Sequence, residues 1–389
     1  MRRKKSAIAA RQDGAMWAVW GLGLLIAAAI SLLSAQVFAK TVKSELHSYT
    51  VTEVASGLKN PWGMAFLPGG DLLVTERNGG VRLIRDGKLS APLKGAPESV
   101  QRGQGGLLDI ALHPKFADNR LVYIAYSGSG DGGAGTEVAR ARFTGEAFEG
   151  LEVIFRAAPK TGGTAHYGGR LAFMPDGHLI ITLGDRYSRM KDAQTLDNHM
   201  GKVIRIRDDG AVPADNPFVN SAGAKPEIYS YGHRNVQGLA LRRESNQVWT
   251  GEFGPQGGDE VNITRPGANY GWPAITYGVD YGGGVISNKK SAPGMEQPVV
   301  YWDPSISPSG MTFYDGDKFP KWRGNLFMAT LTGAHIRRLT LEGDKVIGQE
   351  QLLSGEGDRY RHVAQGPDGF LYALTDDRNG RVLRLAPAN

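Results

Sequence analysis

The sequence predicts an all-β protein, a six-bladed β-propeller from about Lys40 onward, and three observations carry that expectation. A two-strand pattern recurs six times along the chain. Within each copy apolar and polar residues alternate with the period of a sheet, around turns such as Pro-Asp-Gly and Pro-Gly-Gly. No stretch shows an amphipathic helix over three turns.

The copies begin at Pro61, Gly106, Gly169, Gln237, Ser309 and His362. Their corresponding residues are Phe66, Leu112, Phe173, Leu241, Phe313 and Gln365, spaced 46 to 72 residues apart. Blades of four strands with long inserted loops fit that spacing. A small sheet with two apolar faces must stack on neighbours to bury both, and closing the stack into a ring protects its ends. The weakly alternating segment Val42–Val51 is expected to supply the outer strand that closes the last blade. The polar, Gly-rich stretch Gly278–Gln297 reads as an inserted loop on the face that holds the site, or as a loop without function.

The first forty residues differ from the rest. Arg2, Arg3, Lys4, Lys5 and Arg11 precede an uncharged run from Gly14 to Ala39, which ends in Val37-Phe38-Ala39. Residues 1–39 therefore read as a secretion signal cleaved after Ala39 or, because the run is near bilayer length, as an uncleaved membrane anchor. Either reading places residues 40–389 in an extracytoplasmic space such as the periplasm. Most of the formal charge of +6 sits in this leader, so the body offers no clustered basic footprint and nucleic acid is not an expected partner. Cysteine is absent, which excludes a disulfide scaffold, attached haem c, cysteine-ligated iron–sulfur centres and thiol nucleophiles. No phosphate-binding glycine motif lies in a strand–helix context, so nicotinamide and ATP are not expected either.

Several loop motifs are long and specific. They are GQGGLLDIALHP at 103–114, HYGGRLAF at 166–173, YSYGHRNVQGLA at 229–240, GPQGGDEVN at 254–262, NYGWP at 269–273 and RYRHVAQGPDG at 359–369. In content and order they resemble the soluble PQQ-dependent sugar dehydrogenases (PQQ, pyrroloquinoline quinone), also called the glucose/sorbosone dehydrogenase family, and most of all their broad-specificity aldose branch. The resemblance runs from about Val51 to Leu385 and implies a six-bladed propeller, in agreement with the repeat count. It also implies PQQ and Ca2+ as cofactors, oxidation of aldose sugars at C1 to the lactone, and an external electron acceptor.

Site residues follow from that resemblance and from their own chemistry. His166 lies in the loop TGGTAHYGG just before a strand, and an imidazole suits removal of a hydroxyl proton near neutral pH. Read by itself it is equally a structural histidine; the resemblance makes it the catalytic base, with hydride passing from C1 to the quinone. Arg234 is expected near the quinone oxygens, where it stabilises arriving charge, with Asn235 beside it. Arg359 and Arg361, two apart on one strand face, are implied at the cofactor carboxylates. Gln104 is implied at the cofactor edge, and Trp302 in the segment lying over cofactor or sugar. The resemblance assigns backbone carbonyls of Gly254 and Pro255 to the cofactor calcium, and Glu260 and Tyr270 to a second, more structural calcium. His233 is expected to prop the loop that presents Arg234.

The chain departs from the glucose-specialised branch at Ala165, where that branch is acidic, at Arg186, where it has glutamine, and at Thr332, near its cofactor lysine. These departures imply a wider aldose range. Arg186 would either replace part of the missing positive charge or be solvated. Two other readings stay open on sequence alone: a calcium-dependent lactonase-type propeller, and a carbohydrate-binding propeller without catalysis.

Overall fold

The computed structural model describes residues 40–388. Two strands precede the first repeat, β1 (Lys40–Lys43) and β2 (Ser48–Leu58). The first repeat forms a four-stranded antiparallel sheet of β3 (Pro61–Phe66), β4 (Leu72–Glu76), β5 (Val81–Arg85) and β6 (Lys88–Leu89). The second contains β7 (Leu107–Leu112), β8 (Leu121–Gly130), β9 (Gly133–Phe143) and β10 (Phe148–Arg156). The third contains β11 (Leu171–Phe173), β12 (Leu179–Thr182), β13 (Lys202–Ile206) and β14 (Ile228–Tyr231). The fourth contains β15 (Val236–Arg242), β16 (Gln247–Glu252), β17 (Asp259–Thr264) and β18 (Val300–Trp302). The fifth contains β19 (Pro308–Phe313), β20 (Leu326–Thr330), β21 (Ile336–Glu342) and β22 (Lys345–Leu352). The last repeat contributes β23 (Tyr360–Gln365), β24 (Leu371–Thr375) and β25 (Gly380–Pro387), and β2 completes that sheet by pairing with β25.

The six marker residues of the repeats all fall on the innermost strands, β3, β7, β11, β15, β19 and β23, which neighbour one another around the ring. The closing strand lies further along the chain than Val42–Val51: it is Ser48–Leu58, and Lys40–Lys43 adds a fifth strand outside it. The β2 ladder with β25 runs from Tyr49 opposite Pro387 to Leu58 opposite Gly380, so the two ends of the propeller are joined by backbone hydrogen bonds.

Alternation puts one apolar set on each face of every sheet, and the core is divided accordingly. Tyr123 and Val138 of the second sheet bury against Ile181 and Ile204 of the third. Ile180 and Val203 meet Leu239 and Val248 between the third and fourth, and Trp249 and Val261 meet Met328 and Leu339 between the fourth and fifth. Ala329 and Ile336 meet Val363 and Ala373 next, then Leu374 and Val382 meet Met64 and Val74, and Leu73 and Val81 meet Ile110 and Val122. Each buried Val, Leu, Ile or Met side chain among these contributes about 1.5–3 kcal/mol when fully removed from water, so stability is spread around the ring.

The axis is held by one side chain. Arg170, next to β11, is 1% exposed and its guanidinium reaches partners on all the other sheets. Nε donates to Gln237 O at 2.8 Å, and Nη2 donates to Arg361 O at 2.9 Å and Ser309 Oγ at 3.2 Å. Nη1 donates to His362 Nδ1 at 3.0 Å and, at 3.4 Å, to Trp62 O and Asp109 Oδ1. Its plane lies 3.9 Å from the centroid of the Trp62 ring. Burial lowers the Arg170 pKa to about 10, partly offset by Asp109, so the group stays charged at neutral pH. Burial raises the Asp109 pKa against the pull of Arg170, and burial with the Arg170 charge keeps His362 neutral.

Candidate active site

A cavity of about 210 Å³ opens at the ring centre, beside this axial arginine. Trp62, Arg77, Gln104, Gln237, Phe253, Ser307, Leu331, Arg359, Arg361 and Asp376 line it. Three arginines face one carboxylate there. Arg361 is buried; it donates to Gln237 Oε1 at 2.8 Å and to Asp376 Oδ2 at 2.9 Å. Burial opposes the charge on Asp376, but Arg361, Arg77 and Arg359 outweigh it and hold the carboxyl below its ordinary range. Arg359 is more exposed and reaches Asp376 only at 3.5 Å. Nε of Arg361 and Nε of Arg77 are buried with no partner in the protein. Such donors cost about 1–3 kcal/mol each unless something accepts from them.

Gln104 joins this cavity to the candidate base. It sits in the tight turn before β7, and its Oε1 accepts from His166 N at 2.8 Å. His166 itself has φ of 52°, a left-handed conformation that non-glycine residues adopt under local constraint. Close approach by the neighbouring chain requires glycine here: a Cβ on Gly184 would stand 2.4 Å from His166 O.

The imidazole is 4% exposed, and its Nδ1 lies 2.6 Å from Asp185 Oδ1. An ionised carboxylate only accepts, so Nδ1 carries the proton and Nε2 is left as the base. Asp185 is itself fixed: Oδ1 also accepts from Tyr187 N at 2.7 Å, and Oδ2 accepts from Trp272 Nε1 at 2.8 Å. Burial lowers the His166 pKa below 6.5, Asp185 works in the opposite direction, and Arg234 and Arg186 add to the lowering. His166 is thus neutral at neutral pH and ready to accept a proton.

Arg234 and Asn235 follow β14 and precede β15. Arg234 donates through Nη1 to Gly254 O at 2.6 Å and Phe253 O at 3.2 Å, and through Nη2 to the Tyr281 hydroxyl at 3.4 Å. Asn235 Oδ1 accepts from Gly168 N at 3.2 Å, which ties it to the loop of His166. Arg234 Nε and Asn235 Nδ2 are buried without partners. Neither residue lines the cavity, nor does His166; they adjoin it through Phe253 and Gln104.

The expected metal positions cluster on the fourth sheet. Gly254 O and Phe253 O converge on the Arg234 guanidinium, and Pro255 O accepts from Ser305 Oγ at 3.4 Å. Backbone carbonyls are oxygen ligands of the kind a hard cation takes, although that of Gly254 is already engaged by the Arg234 guanidinium. Glu260 stands opposite Glu252 across β16 and β17. Burial, then the Glu252 charge, raise the Glu260 pKa well above the carboxylate range. Asn262 Nδ2 donates to Glu260 Oε2 at 3.1 Å, while Asn262 Oδ1 is buried and unpaired. A cation would relieve both the carboxylate pair and that oxygen. The Tyr270 hydroxyl is taken up by Ile263 O and Arg265 N, so only its backbone is free to serve as a ligand. Its ring stacks on His233 at 4.6 Å, and His233 in turn bonds Ser230 Oγ at 2.9 Å, the propping arrangement expected of it. Among the described residues no group of three or more His, Cys, Asp or Glu side chains is placed to hold a metal.

One expectation needs correction, at Trp302, and of the two alternatives left open for Arg186 the solvated one falls. Trp302 is on β18, the outermost strand of the fourth sheet; its Nε1 donates to Gln349 Oε1 at 2.9 Å, and it lines no part of the cavity. Arg186 is not solvated: it is 2% exposed, packs 3.5 Å from the Tyr167 ring centroid, and donates to the carbonyls of Gly163 and Ala165. It therefore clamps the loop that carries His166. Thr332 bonds Ser307 Oγ at 2.8 Å, on the rim of the cavity. Reading the sequence missed Asp185, Arg77 and Glu252. The Gly-Asp that ends the strand HLIITLGD is the one trace of Asp185 in the sequence.

The apolar N-terminal run lies outside the described residues, and no helix among those described is long and apolar enough to cross a membrane.

Residues 58–384 match the family described as Glucose / Sorbosone dehydrogenase. The chain is 45% identical over 339 residues to the aldose sugar dehydrogenase YliI of Escherichia coli, covering 85% of this chain and 91% of that protein. The crystal structure of the soluble aldose sugar dehydrogenase from Escherichia coli in its apo form superposes with a TM-score of 0.85 at 42% identity, over 87% of this chain and all of that one. The PQQ-bound form of aldose sugar dehydrogenase from Streptomyces coelicolor superposes with a TM-score of 0.72 at 32% identity, over 87% of this chain and 98% of that one.

Proposed function

The chain belongs to the glucose/sorbosone dehydrogenase family, and from that premise we propose that His166, Arg234 and the arginine-lined cavity form its sugar-oxidising centre. The enzyme oxidises aldose sugars with PQQ and hands the electrons to an external acceptor. The observation that carries the assignment of residues is the set of buried, unfilled donors on Arg77, Arg361, Arg234 and Asn235, gathered beside a base of fixed tautomer.

That donor set fits a planar tricarboxylate. Arg359 and Arg361, with Arg77, would pair with carboxylates, Gln104 would meet an edge, and Arg234 and Asn235 would face the quinone oxygens. PQQ supplies the two-electron acceptor for the hydride that leaves the sugar carbon. The protein supplies the rest. His166 Nε2 takes the proton from the C1 hydroxyl, and Asp185 stabilises the imidazolium that forms. Trp272 and the Tyr187 amide keep Asp185 in place, so the base needs no reorientation during the reaction. Loss of the hydroxyl proton and the hydride leaves the lactone. Trp302 takes no part in this reading.

Arg361→Gln is expected to weaken PQQ binding by about tenfold to a hundredfold, the effect of losing a charged hydrogen bond. Fluorescence or absorbance titration of the apo protein with PQQ measures it, and unchanged affinity would remove Arg361 from the cofactor site.

Calcium completes the proposal. Carbonyls of Gly254 and Pro255 would hold one ion near the quinone, and Glu260 with the Tyr270 carbonyl a second, with Glu252 alongside. Adding calcium to chelator-stripped protein is expected to raise the melting temperature, since a ligand at about 100 times its Kd adds about 2.7 kcal/mol. Glu260→Gln should lose most of that rise. An equal rise in the variant would place the stabilising ion elsewhere. The basic residues followed by an apolar run in residues 1–39 support an extracytoplasmic setting; cleavage or retention of that leader is decided by the N-terminal residue of the mature protein.

A further inference from the structure

One buried lysine takes no part in anything described so far. Lys202 opens β13 and is fully buried, yet none of its Nζ partners is a carboxylate. Nζ donates to Met200 O at 2.5 Å, Asp192 O at 3.0 Å and Ala193 O at 3.2 Å. All three carbonyls belong to residues 183–201, the segment between β12 and β13 that carries Asp185. Two of them lie in the last turn of a short 3-10 helix, Met190–Gln194, where outward carbonyls favour a cation. Burial draws the Lys202 pKa down to about 7, against the pull of Asp192 and Asp197. The carbonyls add to that pull, because only the ammonium has a proton for each of three acceptors.

The lysine fastens this segment to both sides of the candidate site. Ala193 O also accepts from Gly232 N at 2.9 Å, and Gly201 O accepts from His233 N at 3.1 Å, so the loop that presents Arg234 rests on it. The two segments run so close that a Cβ on Gly201 would collide with His233 O. Gln194, next to Ala193, reaches the other way. Its Nε2 donates to Trp272 O at 2.8 Å and to Asn269 Oδ1 at 3.0 Å, and its Oε1 accepts from Asn269 Nδ2 at 2.8 Å. Trp272 is buried; its Nε1 donates to Asp185 Oδ2, and the Arg234 guanidinium lies 5.3 Å from its ring. A continuous chain of contacts thus leads from Lys202 through Gln194 and Trp272 to the carboxylate that fixes Nδ1 of His166.

We propose that Lys202 and Gln194 are positioning residues for the proton transfer. Lys202 gathers the loop carbonyls as a bound metal ion would, and Gln194 holds Trp272 so that Asp185 keeps one place beside His166. The proposal rests on reading His166 as the base. The charged groups that face the imidazole are Asp185, Arg186 and Arg234, with the Tyr187 ring edge-on. Asp185 alone raises the His166 pKa, so a carboxylate free to turn away raises it less. It also leaves Nδ1 without a fixed acceptor, and the ring then samples both tautomers. Loosening the network acts on the rate and on the proton. Sugar and PQQ affinity stay in place, because neither Lys202 nor Gln194 lines the cavity.

The test uses Lys202→Met and Gln194→Ala, each alone and combined with Asp185→Asn, as holoenzyme with PQQ and calcium. Each single variant is expected to lower kcat about two- to thirtyfold, with KM for an aldose and Kd for PQQ changed less than about twofold. The acid limb of kcat/KM should move to lower pH, as in Asp185→Asn. Added to Asp185→Asn, neither should lower kcat by more than about twofold, since the group it positions is already gone. Nitrogen NMR of the histidine rings, which needs no turnover, should show His166 protonated at Nδ1 in the parent and a mixture of tautomers in both variants. Should Lys202→Met not fold, Gln194→Ala carries the test, because that side chain is half-buried and outside the lysine cage. A limb and tautomer unchanged in the variants, or an equal loss of kcat with and without Asp185→Asn, would show a merely structural role and overturn the proposal. Mixed tautomers in the variants, with no sugar oxidation by the parent, would uphold the network and refute the reading of His166 as the base.

Discussion

His166→Ala is expected to bind PQQ normally and to lose sugar oxidation by about 10²–10⁴-fold, the contribution of a positioned general base. The imidazole donates to Asp185 and touches no cavity-lining arginine, so its removal leaves the cofactor donors intact. Its protonation also sets the acid limb of kcat/KM. Burial lowers the His166 pKa, with Arg234 and Arg186 assisting and Asp185 opposing. The limb should therefore lie below pH 6.5, with full activity at neutral pH and loss as pH falls through the lowered value. Asp185→Asn removes the opposing effect, so the limb should move to still lower pH. The plateau should drop too, because an amide no longer dictates which ring nitrogen carries the proton. A limb unmoved by Asp185→Asn would mean that another group titrates. A structural role for Asp185 alone would lower the plateau without moving the limb.

Arg170→Met is expected to produce the largest loss of stability of any single substitution away from the catalytic groups. It removes donors to five other sheets and leaves Asp109 buried without its cation. Breaking such a buried pair costs roughly 3–5 kcal/mol. Asp109 also accepts from Leu171 N at 3.0 Å, so an uncompensated charge there disturbs the start of β11. Arg170→Met combined with Asp109→Leu removes both charges and should recover part of the loss, since an apolar replacement avoids their burial. Denaturant midpoints for the two single variants and the double variant measure this. Equal destabilisation by the double variant and the sum of the singles would show that the pair is not coupled. Arg170 also fixes the Arg361 carbonyl, so weaker PQQ binding should accompany the instability.

The blades were legible because turn chemistry and period-two alternation are local properties. Phe66, Leu112 and Phe173 mark inner strands wherever the intervening loops wander. The closing strand was less so: Val42–Val51 alternates as well as Ser48–Leu58 does, and only the ladder to β25 selects between them. His166, Arg234 and the Arg-x-Arg at 359–361 were visible through long motifs. Asp185 was hidden because nothing local distinguishes one strand-ending carboxylate from another; its role arises when the ring brings it to the imidazole. Arg170 and Asp109 stand inside motifs that were read, but the axial position is a consequence of closure and has no local signature. Arg77 is a single arginine in the turn TERNGG, and its unfilled nitrogen shows only in three dimensions. Trp302 misled for the opposite reason: an aromatic near a motif invites stacking on a ligand, whereas the inserted loop before it delivers it to the outer edge of the fourth sheet.

The molecule is one ring with an arginine at its axis, a cavity rich in unused donors, and beside it a candidate base, His166, hydrogen-bonded to Asp185. The central claim is that sugar oxidation occurs there with PQQ as the acceptor. Titrating PQQ into the calcium-loaded apo protein, and following dye reduction with an aldose, tests it most directly. Activity should rise linearly and stop at one PQQ per chain in the parent protein, while His166→Ala binds the same amount and stays inactive. Sugar-dependent reduction of full rate in His166→Ala, or none in the fully loaded parent protein, would contradict the account.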